Sequence, residues 1–216
     1  MQNLRDLEEK EIKAWVLEKH FPGYRAEQIY RWVQEKDAED FQSMGNLPRE
    51  LRKSLSEEFN IELPKLYRRY ISRLDETEKF LFTLADGHRI EAVFMAYHHG
   101  NTACISTQVG CRMGCAFCAS TLSGLARNCS SGEMLGQIVA IEHLTGKKIS
   151  NVVLMGSGEP LDNYTEVLRF IHLLSGKIGR NISQRNITLS TCGIVPRILE
   201  LAEEKLGITL ALSLHA

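Results

Sequence analysis

The sequence lacks any run of eighteen apolar residues, and its first ten residues contain no apolar core of the kind that secretion signals have. These absences exclude a membrane span and a secretory signal peptide. We therefore expect a cytoplasmic protein with no membrane partner. In the reducing cytosol, six cysteines are more often metal ligands or catalysts than a disulfide framework.

A strong net charge is also missing, because lysines and arginines nearly balance acidic residues and leave a formal charge of −1. Overall charge therefore gives no argument for nucleic-acid binding. One local cluster of basic residues has tyrosines between them: Lys65, Tyr67, Arg68, Arg69, Tyr70 and Arg73. A nucleic-acid contact and a solvated strand face explain this cluster equally well.

The first 62 of the 216 residues have helical periodicity, which fits a large domain preceded by a small one. Two apolar stripes recur at helical spacing: Ala26, Ile29, Tyr30 and Val33, then Leu51, Leu55 and Phe59. Residues 1–62 are therefore predicted to form a small helical accessory domain of the kind that positions a macromolecular partner.

Residues 63–98 change to a period of two, which predicts a β-hairpin joining the two halves. Apolar residues alternate on both sides of Asp86-Gly87, a favoured two-residue turn. Glu91 falls on the face opposite the apolar residues of the second strand, where most glutamates simply face solvent.

Residues 99–216 alternate strands with amphipathic helices, which predicts an α/β fold with a parallel sheet, either open or part of a barrel. The predicted strands lie near 102–107, 151–155, 186–190 and 208–214. The predicted helices lie near 131–145, 164–175 and 196–205, and the first begins with a capping box at Ser130 and Glu133.

Each predicted strand is followed by residues capable of chemistry. The segments are the cysteine run after the first strand, then residues 156–160, 190–193 and 213–215. Parallel α/β folds build their sites at the carboxyl ends of strands, so these four segments are predicted to converge. The connection over 108–130 is also longer than an ordinary loop of about 2–6 residues, which indicates a functional role.

Cys111, Cys115 and Cys118 form a C-x3-C-x2-C run. A structural zinc site needs four ligands, usually as paired C-x2-C units, so zinc would require another cysteine (Cys104, Cys129 or Cys192) or a histidine. A [4Fe–4S] cluster ordinarily takes four cysteines, and three would leave one iron open for a substrate or cofactor.

Residues 111–118 resemble the radical S-adenosylmethionine signature, in which the open iron binds the amino and carboxylate groups of S-adenosylmethionine. The segments 104–110, 155–163, 189–196 and 211–216 together resemble the RlmN/Cfr family, and the RlmN branch most closely. This family consists of radical enzymes that methylate adenine in 23S ribosomal RNA and, in the RlmN branch, in tRNA. The resemblance covers essentially the whole chain and implies a partial radical SAM barrel of about four strands over residues 99–216. It also implies an RNA-positioning role for the helical domain.

The resemblance also assigns roles to individual residues. Cys111, Cys115 and Cys118 would hold the [4Fe–4S] cluster. Glu91 matches the family's proton acceptor, and Cys104 matches the reactive cysteine that releases the product. Six residues would contact S-adenosylmethionine: Gly158, Glu159, Ser190, Ser213, Leu214 and His215.

In the family, one S-adenosylmethionine methylates a cysteine, and a second, cleaved reductively at the cluster, yields a radical that activates that methyl group. The carbon radical adds to the adenine, and proton loss with attack by the other cysteine frees the product. The implied partners are 23S rRNA, tRNA and an electron donor such as flavodoxin or ferredoxin, and we expect a monomer. Carbon-2 is favoured over carbon-8 as the position methylated.

This sequence departs from the family pattern in three respects. The methyl-carrying cysteine and a cofactor-contacting asparagine lie farther toward the C-terminus in the family, beyond the position of Ala216, the last residue of this chain. We expect a fragment that cannot methylate RNA alone, in which Cys129 and Cys192 have mainly structural roles, such as packing as small apolar residues. Position 157 is a serine where the family pattern has methionine.

Three other functions remain as alternatives. One is a carbon-8 adenine methyltransferase of the same family. Another is a different radical enzyme such as a glycyl-radical activase, which Cys104 and the helical domain argue against. The third, from another class, is a metal-stabilised RNA-binding module without catalysis.

Overall fold

The computed structural model describes residues 1–214. Its N-terminal part contains three helices and a parallel pair of two-residue strands. These elements are β1 (Gln2–Asn3), α1 (Glu9–Glu18), α2 (Arg25–Gln34), α3 (Arg49–Glu58) and β2 (Phe59–Asn60). The predicted apolar stripes of α2 and α3 are buried, so the helical prediction for this region is confirmed.

Three antiparallel strands follow, where the periodicity predicts a two-stranded hairpin. They are β3 (Lys65–Ile71), β4 (Glu78–Thr83) and β5 (Arg89–Tyr97). The β4–β5 hairpin is confirmed, and Gly87 in its turn has a φ of +86°, a conformation that glycine adopts without strain. The periodicity does not reveal β3 because all seven of its residues are exposed, so its apolar and polar residues do not alternate.

The remainder alternates strands and helices as predicted, with ends shifted by a few residues. The strands are β6 (Gly100–Cys104), β7 (Gln108–Gly110), β8 (Leu125–Asn128), β9 (Asn151–Leu154), β10 (Ile187–Thr191) and β11 (Thr209–Leu212). The helices are α4 (Ser131–Thr145), α5 (Tyr164–Ser175) and α6 (Val195–Glu203). The predicted capping box at the start of α4 is present.

Seven strands form one mixed sheet in the order β11-β10-β9-β6-β5-β4-β3. The parallel strands β6, β9, β10 and β11 are neighbours in chain order. Right-handed crossovers wound in one direction place their helices on one face, as in a barrel rather than a doubly wound sheet. Across residues 1–214 the sheet does not close, and the strands of the predicted hairpin segment 63–98 extend it at one edge.

The two faces of the sheet differ in character. Alternate residues such as Phe80, Phe94 and Val152 are buried together with apolar residues of α4 and α5. The intervening residues, including Glu91 and Cys104, lie on the opposite face, which we call the open face. In the described part of the chain, no helix combines the length and apolar character needed to span a membrane.

Charged groups fasten the N-terminal helices to the core on its helical side. Asp6 accepts from the backbone N–H of Gly132 in the first turn of α4, at 2.6 Å. Arg180 pairs with Asp37 at 2.6 Å and also with Glu142, and all three side chains are at least nine-tenths buried. Burial alone would raise the pKa of Glu142, but Arg180 and other donors outweigh it and lower that pKa below its ordinary value.

Replacing Arg180 by leucine should lower the free energy of unfolding by about 3–5 kcal/mol, because Asp37 and Glu142 would stay buried without their shared partner. Arg31→Leu is the matched control, since Arg31 pairs with two carboxylates on an exposed helix surface and should cost less than about 1 kcal/mol. Urea titration followed by circular dichroism measures both. Equal losses in the two variants would contradict this account of the interface.

Candidate cofactor site at the carboxyl edge of the sheet

The four segments predicted to converge do meet, around a cavity of about 270 Å³ at the carboxyl ends of the strands. Seven predicted site residues line it: Cys111, Cys115, Cys118, Gly158, Glu159, Ser190 and Ser213. A larger cavity of about 710 Å³ lies between α1 and α5, and none of the predicted residues is among those lining it in the described chain. The predicted cluster and cofactor residues are therefore grouped around the smaller cavity.

The cysteines lie in a loop closed at its base by the antiparallel pair β7–β8. Cys111 donates its backbone N–H to Gly124 at 3.1 Å, and Cys118 donates to Cys115 at 3.0 Å, which folds the run back on itself. Gly110, at the base, has a φ of +75°, and a Cβ there would lie 2.0 Å from the carbonyl oxygen of Gly124. The long connection over 108–130 is thus an ordered cysteine loop.

Burial raises the pKa of the Cys111 thiol, and the nearby thiols of Cys115 and Cys118 raise it further, while the N–H of Met113 opposes the rise. Within residues 1–214, no three His, Cys, Asp or Glu side chains are grouped as ligands of a single metal ion. The three cysteines are all among the residues that line the cavity.

The loop after β9 is locked onto the end of β6 by backbone hydrogen bonds. Ser157 donates its N–H to the hydroxyl of Ser106 at 2.9 Å, and its carbonyl accepts from Thr107 and Gln108. A hydroxyl–hydroxyl bond of 3.1 Å also joins Ser157 to Ser120 in the cysteine loop. The serine at position 157 therefore ties the two loops together.

Gly158 has a φ of +104°, and a Cβ there would lie 2.5 Å from the Cβ of Gln108. Glycine is required at this position because the loop packs against Gln108, in addition to any approach to a ligand.

Glu159 is buried, and its carboxylate fixes two neighbouring segments. One oxygen accepts from the N–H of Leu161 at 3.0 Å, and the other accepts from the N–H of Cys192 at 2.8 Å. An ionised carboxylate has about four acceptor positions, so Glu159 keeps capacity for a donor inside the cavity. The hydroxyls of Ser190 and Ser213 are 3.0 Å apart on the same cavity wall.

Cys104 and Glu91 lie beyond this cavity, on the open face of the sheet. Cys104 is paired with Val93 across β5–β6, so Glu91 is its diagonal neighbour, a relation that typically spans about 7–8 Å. Cys104 lines an adjacent cavity of about 530 Å³, and Met155 lines both cavities. Burial raises the pKa of the Cys104 thiol, and the N–H of Met155 opposes the rise.

Glu91 forms an ion pair with Lys79 of β4 at 2.7 Å, and both side chains are about half exposed. Lys79 could not be predicted as a site residue from the sequence, because the pairing depends on the register between two strands. Glu91 and Cys104 are thus brought onto one surface, next to the cavity that holds the three cysteines.

The remaining predictions concern Leu214, His215, Cys129 and Cys192. Leu214 is 79% exposed and is not among the cavity residues, and His215 lies outside the described residues. The packing prediction is confirmed for Cys129, which is buried in the core, and it is wrong for Cys192. Cys192 is exposed, and its backbone N–H donates to the buried carboxylate of Glu159. Partial desolvation of the thiol and its contact with that carboxylate raise the pKa of Cys192 to about 12.

Two polar residues that position the site, Gln108 and Asn163, were not identified from the sequence. The side-chain amide of Gln108 donates to Asn128 and Asp162 and accepts from the N–H of Glu159. Asn163 donates to the carbonyls of Thr107 and Cys129. These residues lie within the segments that carry the predicted site, but their roles depend on contacts across 20 to 56 positions.

Comparison with known proteins agrees with this geometry. The sequence model of the radical SAM superfamily matches residues 105–216, which include the cysteine loop and every segment around the cavity. The chain belongs to the radical SAM superfamily. Residues 2–61 match a second model, described as the ribosomal RNA large subunit methyltransferase N-terminal domain.

Individual relatives indicate the family within this superfamily, because they are named RlmN. The chain is 54% identical over its full length to the probable dual-specificity RNA methyltransferase RlmN of Clostridium botulinum (strain Alaska E43 / Type E3) and covers 62% of that protein. It is 53% identical to the corresponding protein of Clostridium beijerinckii and covers 61% of it. The predicted resemblance is confirmed, and the chain spans about three fifths of the length of these relatives.

A solved structure shares the fold. The crystal structure of a radical SAM methyltransferase from Sphaerobacter thermophilus superposes with a TM-score of 0.92 at 39% identity, covering 100% of this chain and 64% of that one. The predicted α/β fold class is thereby confirmed. Membership of the superfamily implies a [4Fe–4S] cluster and S-adenosylmethionine as cofactors.

Gly110→Ala should destabilise the chain more than Gly114→Ala, although both glycines have nearly equal φ values of +75° and +74°. The left-handed conformation alone costs about 1–2 kcal/mol in each variant. Only at position 110 would the new methyl group also collide with backbone, since nothing lies within 4 Å of a Cβ at position 114. Urea unfolding of both variants measures the difference, and equal costs would disprove the close packing at the loop base.

Proposed function

We propose that the protein is a radical S-adenosylmethionine enzyme that methylates carbon-2 of an adenine in 23S ribosomal RNA and of an adenine in tRNA. The observation that carries this proposal is the convergence of three cysteines, the loop at 156–160 and two serines around one cavity. The names of the RNA methyltransferase relatives, which match the chain along its whole length, support the substrate class.

The donor set fits a [4Fe–4S] cluster held by Cys111, Cys115 and Cys118. Thiolates favour iron–sulfur clusters or zinc, and three cysteine ligands would leave the fourth iron open for a cofactor in the same cavity, which Glu159, Ser190 and Ser213 also line. When bound, the cluster and S-adenosylmethionine supply the radical chemistry that protein side chains lack. An electron donor such as flavodoxin or ferredoxin would reduce the cluster.

Residues opposite the cysteines would hold S-adenosylmethionine. Glu159 keeps acceptor capacity for an ammonium group, and the hydroxyls of Ser190 and Ser213 can meet ribose or carboxylate oxygens. The backbone at Gly158 lines the same cavity. We include Leu214 and His215 in this set on the family resemblance alone.

On the open face, Glu91 would accept the ring proton of the adenine. The thiolate of Cys104 would then attack the sulfur of the methyl-carrying cysteine, so that an S–S bond forms, the bond from that sulfur to the methylene carbon breaks, and this carbon takes a proton to become the methyl group of the released base. A thiolate suits this step because it is both a nucleophile and a leaving group. The methyl group would pass through a methylcysteine outside these 216 residues, with two S-adenosylmethionine molecules used per turnover. We place the reaction in the cytoplasm, with a monomeric enzyme and with residues 1–62 helping to position RNA.

Anaerobic reconstitution with iron and sulfide tests the cluster. The chain should bind about four irons and absorb broadly in the visible region, and Cys115→Ala should lose both because a thiolate ligand is removed. Cys192→Ser is the matched control, since Cys192 lines the same cavity but is not a proposed ligand. Stoichiometric zinc without visible absorption would instead support a metal-stabilised RNA-binding module.

The 216-residue chain alone should form no 2-methyladenosine, because no cysteine is available for the methyl-carrying role. Cys129 is buried in the core, and Cys192 lies beside the proposed cluster ligands. Mass spectrometry of digested RNA, after anaerobic incubation with reductant and S-adenosylmethionine, measures the product. The full-length C. botulinum relative serves as the positive control. Detection of 2-methyladenosine from the chain would refute this prediction, and 8-methyladenosine would in addition replace the proposed position of methylation.

A further inference from the structure

The exposed side chains of β3, β4 and β5 form a distinct surface beside Glu91. Arg68 is paired with Leu81, and Tyr70 with Lys79, whereas the intervening Phe80 is buried against the helices. The register therefore directs Arg68, Tyr70 and Lys79 to the open face. Tyr67 sits at the bulge in β3 and contacts Arg89 on the same side. We call these five residues the basic face: Tyr67, Arg68, Tyr70, Lys79 and Arg89.

The charges of the two arginines in the basic face are not neutralised by their surroundings. The guanidinium of Arg68 lies 5.0 Å from the ring centre of Tyr70, and that of Arg89 lies 3.7 Å from the ring centre of Tyr67. Among residues 1–214, neither arginine has a carboxylate within 4.0 Å. Lys79 is paired with Glu91, which is the single carboxylate that β3–β5 contribute to this face.

Neighbouring cations behave differently. Arg69 points to the helical side of the sheet, where it pairs with Glu78 at 2.5 Å and lies over the ring of Phe80. In the N-terminal helices, Arg31 is paired with Glu27 and Glu35. The sequence cluster around residues 65–73 is thus split by the strand, and only part of it forms the basic face.

The aromatic groups indicate what kind of partner fits. Tyr67 and Tyr70 are 54% and 47% exposed, although large aromatic side chains usually bury most of their surface. Arginines that contact phosphates, together with exposed rings on which bases stack, form the usual surface for single-stranded nucleic acid. A protein partner would call for an apolar centre, whereas this face combines cations with tyrosines.

We propose that the basic face binds the backbone and unpaired bases of an RNA loop, and so leads the target adenine to Glu91 and Cys104. The inference rests on the proposed function and names the surface through which its substrate is bound. From β3 to β6 there are three strand spacings, or about 14 Å, which a few unpaired nucleotides can span. The N-terminal helices are fastened on the opposite, helical side of the core, so RNA contact there would lie farther from Cys104.

Binding of a fluorescent RNA stem-loop with adenine in its loop, measured at several salt concentrations with the full 216-residue chain, tests the proposal. Arg68→Gln and Arg89→Gln should each weaken binding and reduce the slope of log K against log salt by about 0.7. Tyr70→Leu should weaken binding about tenfold and leave the slope unchanged, because stacking is lost without loss of charge. Arg68→Lys should keep the slope, which separates lost charge from misfolding.

Arg197→Gln is the matched control, because it removes an exposed arginine that pairs with Glu200 on α6, outside both residues 1–62 and the basic face, and should leave affinity and slope unchanged. Thermal unfolding midpoints equal to that of the unaltered chain establish that the variants are folded. The proposal is overturned if the unaltered chain does not bind the stem-loop, if it binds a duplex of equal length as tightly, or if both glutamine variants retain the full slope. Iron binding after reconstitution is measured separately. If the chain binds iron but Arg68→Gln and Arg89→Gln retain the full slope of log K against log salt, only the inference about the basic face is refuted.

Discussion

The side chain of Gln108 connects the cysteine loop to the loop after β9, two of the segments that surround the cavity. Its amide group donates to Asn128 at the far end of the cysteine loop and to Asp162 after β9, and its oxygen accepts from Glu159. Asp162 in turn pairs with Arg112 inside the cysteine loop. Because Gln108 is fully buried, each of these bonds must be made or a polar group is left without a partner. The relative position of the cysteines and Glu159 therefore depends on this amide together with the hydrogen bonds of Ser157.

The strand-to-helix alternation and the site segments could be predicted because both depend on local features. Apolar periodicity identifies the elements, and parallel topology sends the carboxyl ends of the strands to one edge. The strand β3 could not be predicted in the same way, since exposure of every residue removes the periodic signal. Long-range polar contacts could not be predicted for a different reason. Arg180 and Asp37 are 143 positions apart, and nothing in the local sequence around either residue specifies the other.

The charged side chains between the N-terminal helices and α4 are buried and paired, whereas the arginines of the basic face are exposed and have no carboxylate partner among the described residues. Between α4 and the N-terminal helices, ions are buried and mutually paired, an arrangement that contributes little net stability but penalises any misplaced docking. On the basic face, two arginines remain solvent-accessible over tyrosine rings. The first arrangement holds the accessory helices in one position, and the second leaves charge available for a ligand.

The pairing of β5 with β6 sets the distance between Glu91 and Cys104. Glu91 and Cys104 belong to strands hydrogen-bonded in a fixed register, so their separation can change only in steps of the ladder. A single inserted residue between Glu91 and Val93 would turn Glu91 toward the helices, whereas two would return it to the open face about 7 Å farther along. Changes in the loops therefore leave the spacing of these two side chains unaltered, whereas an insertion within β5 changes it.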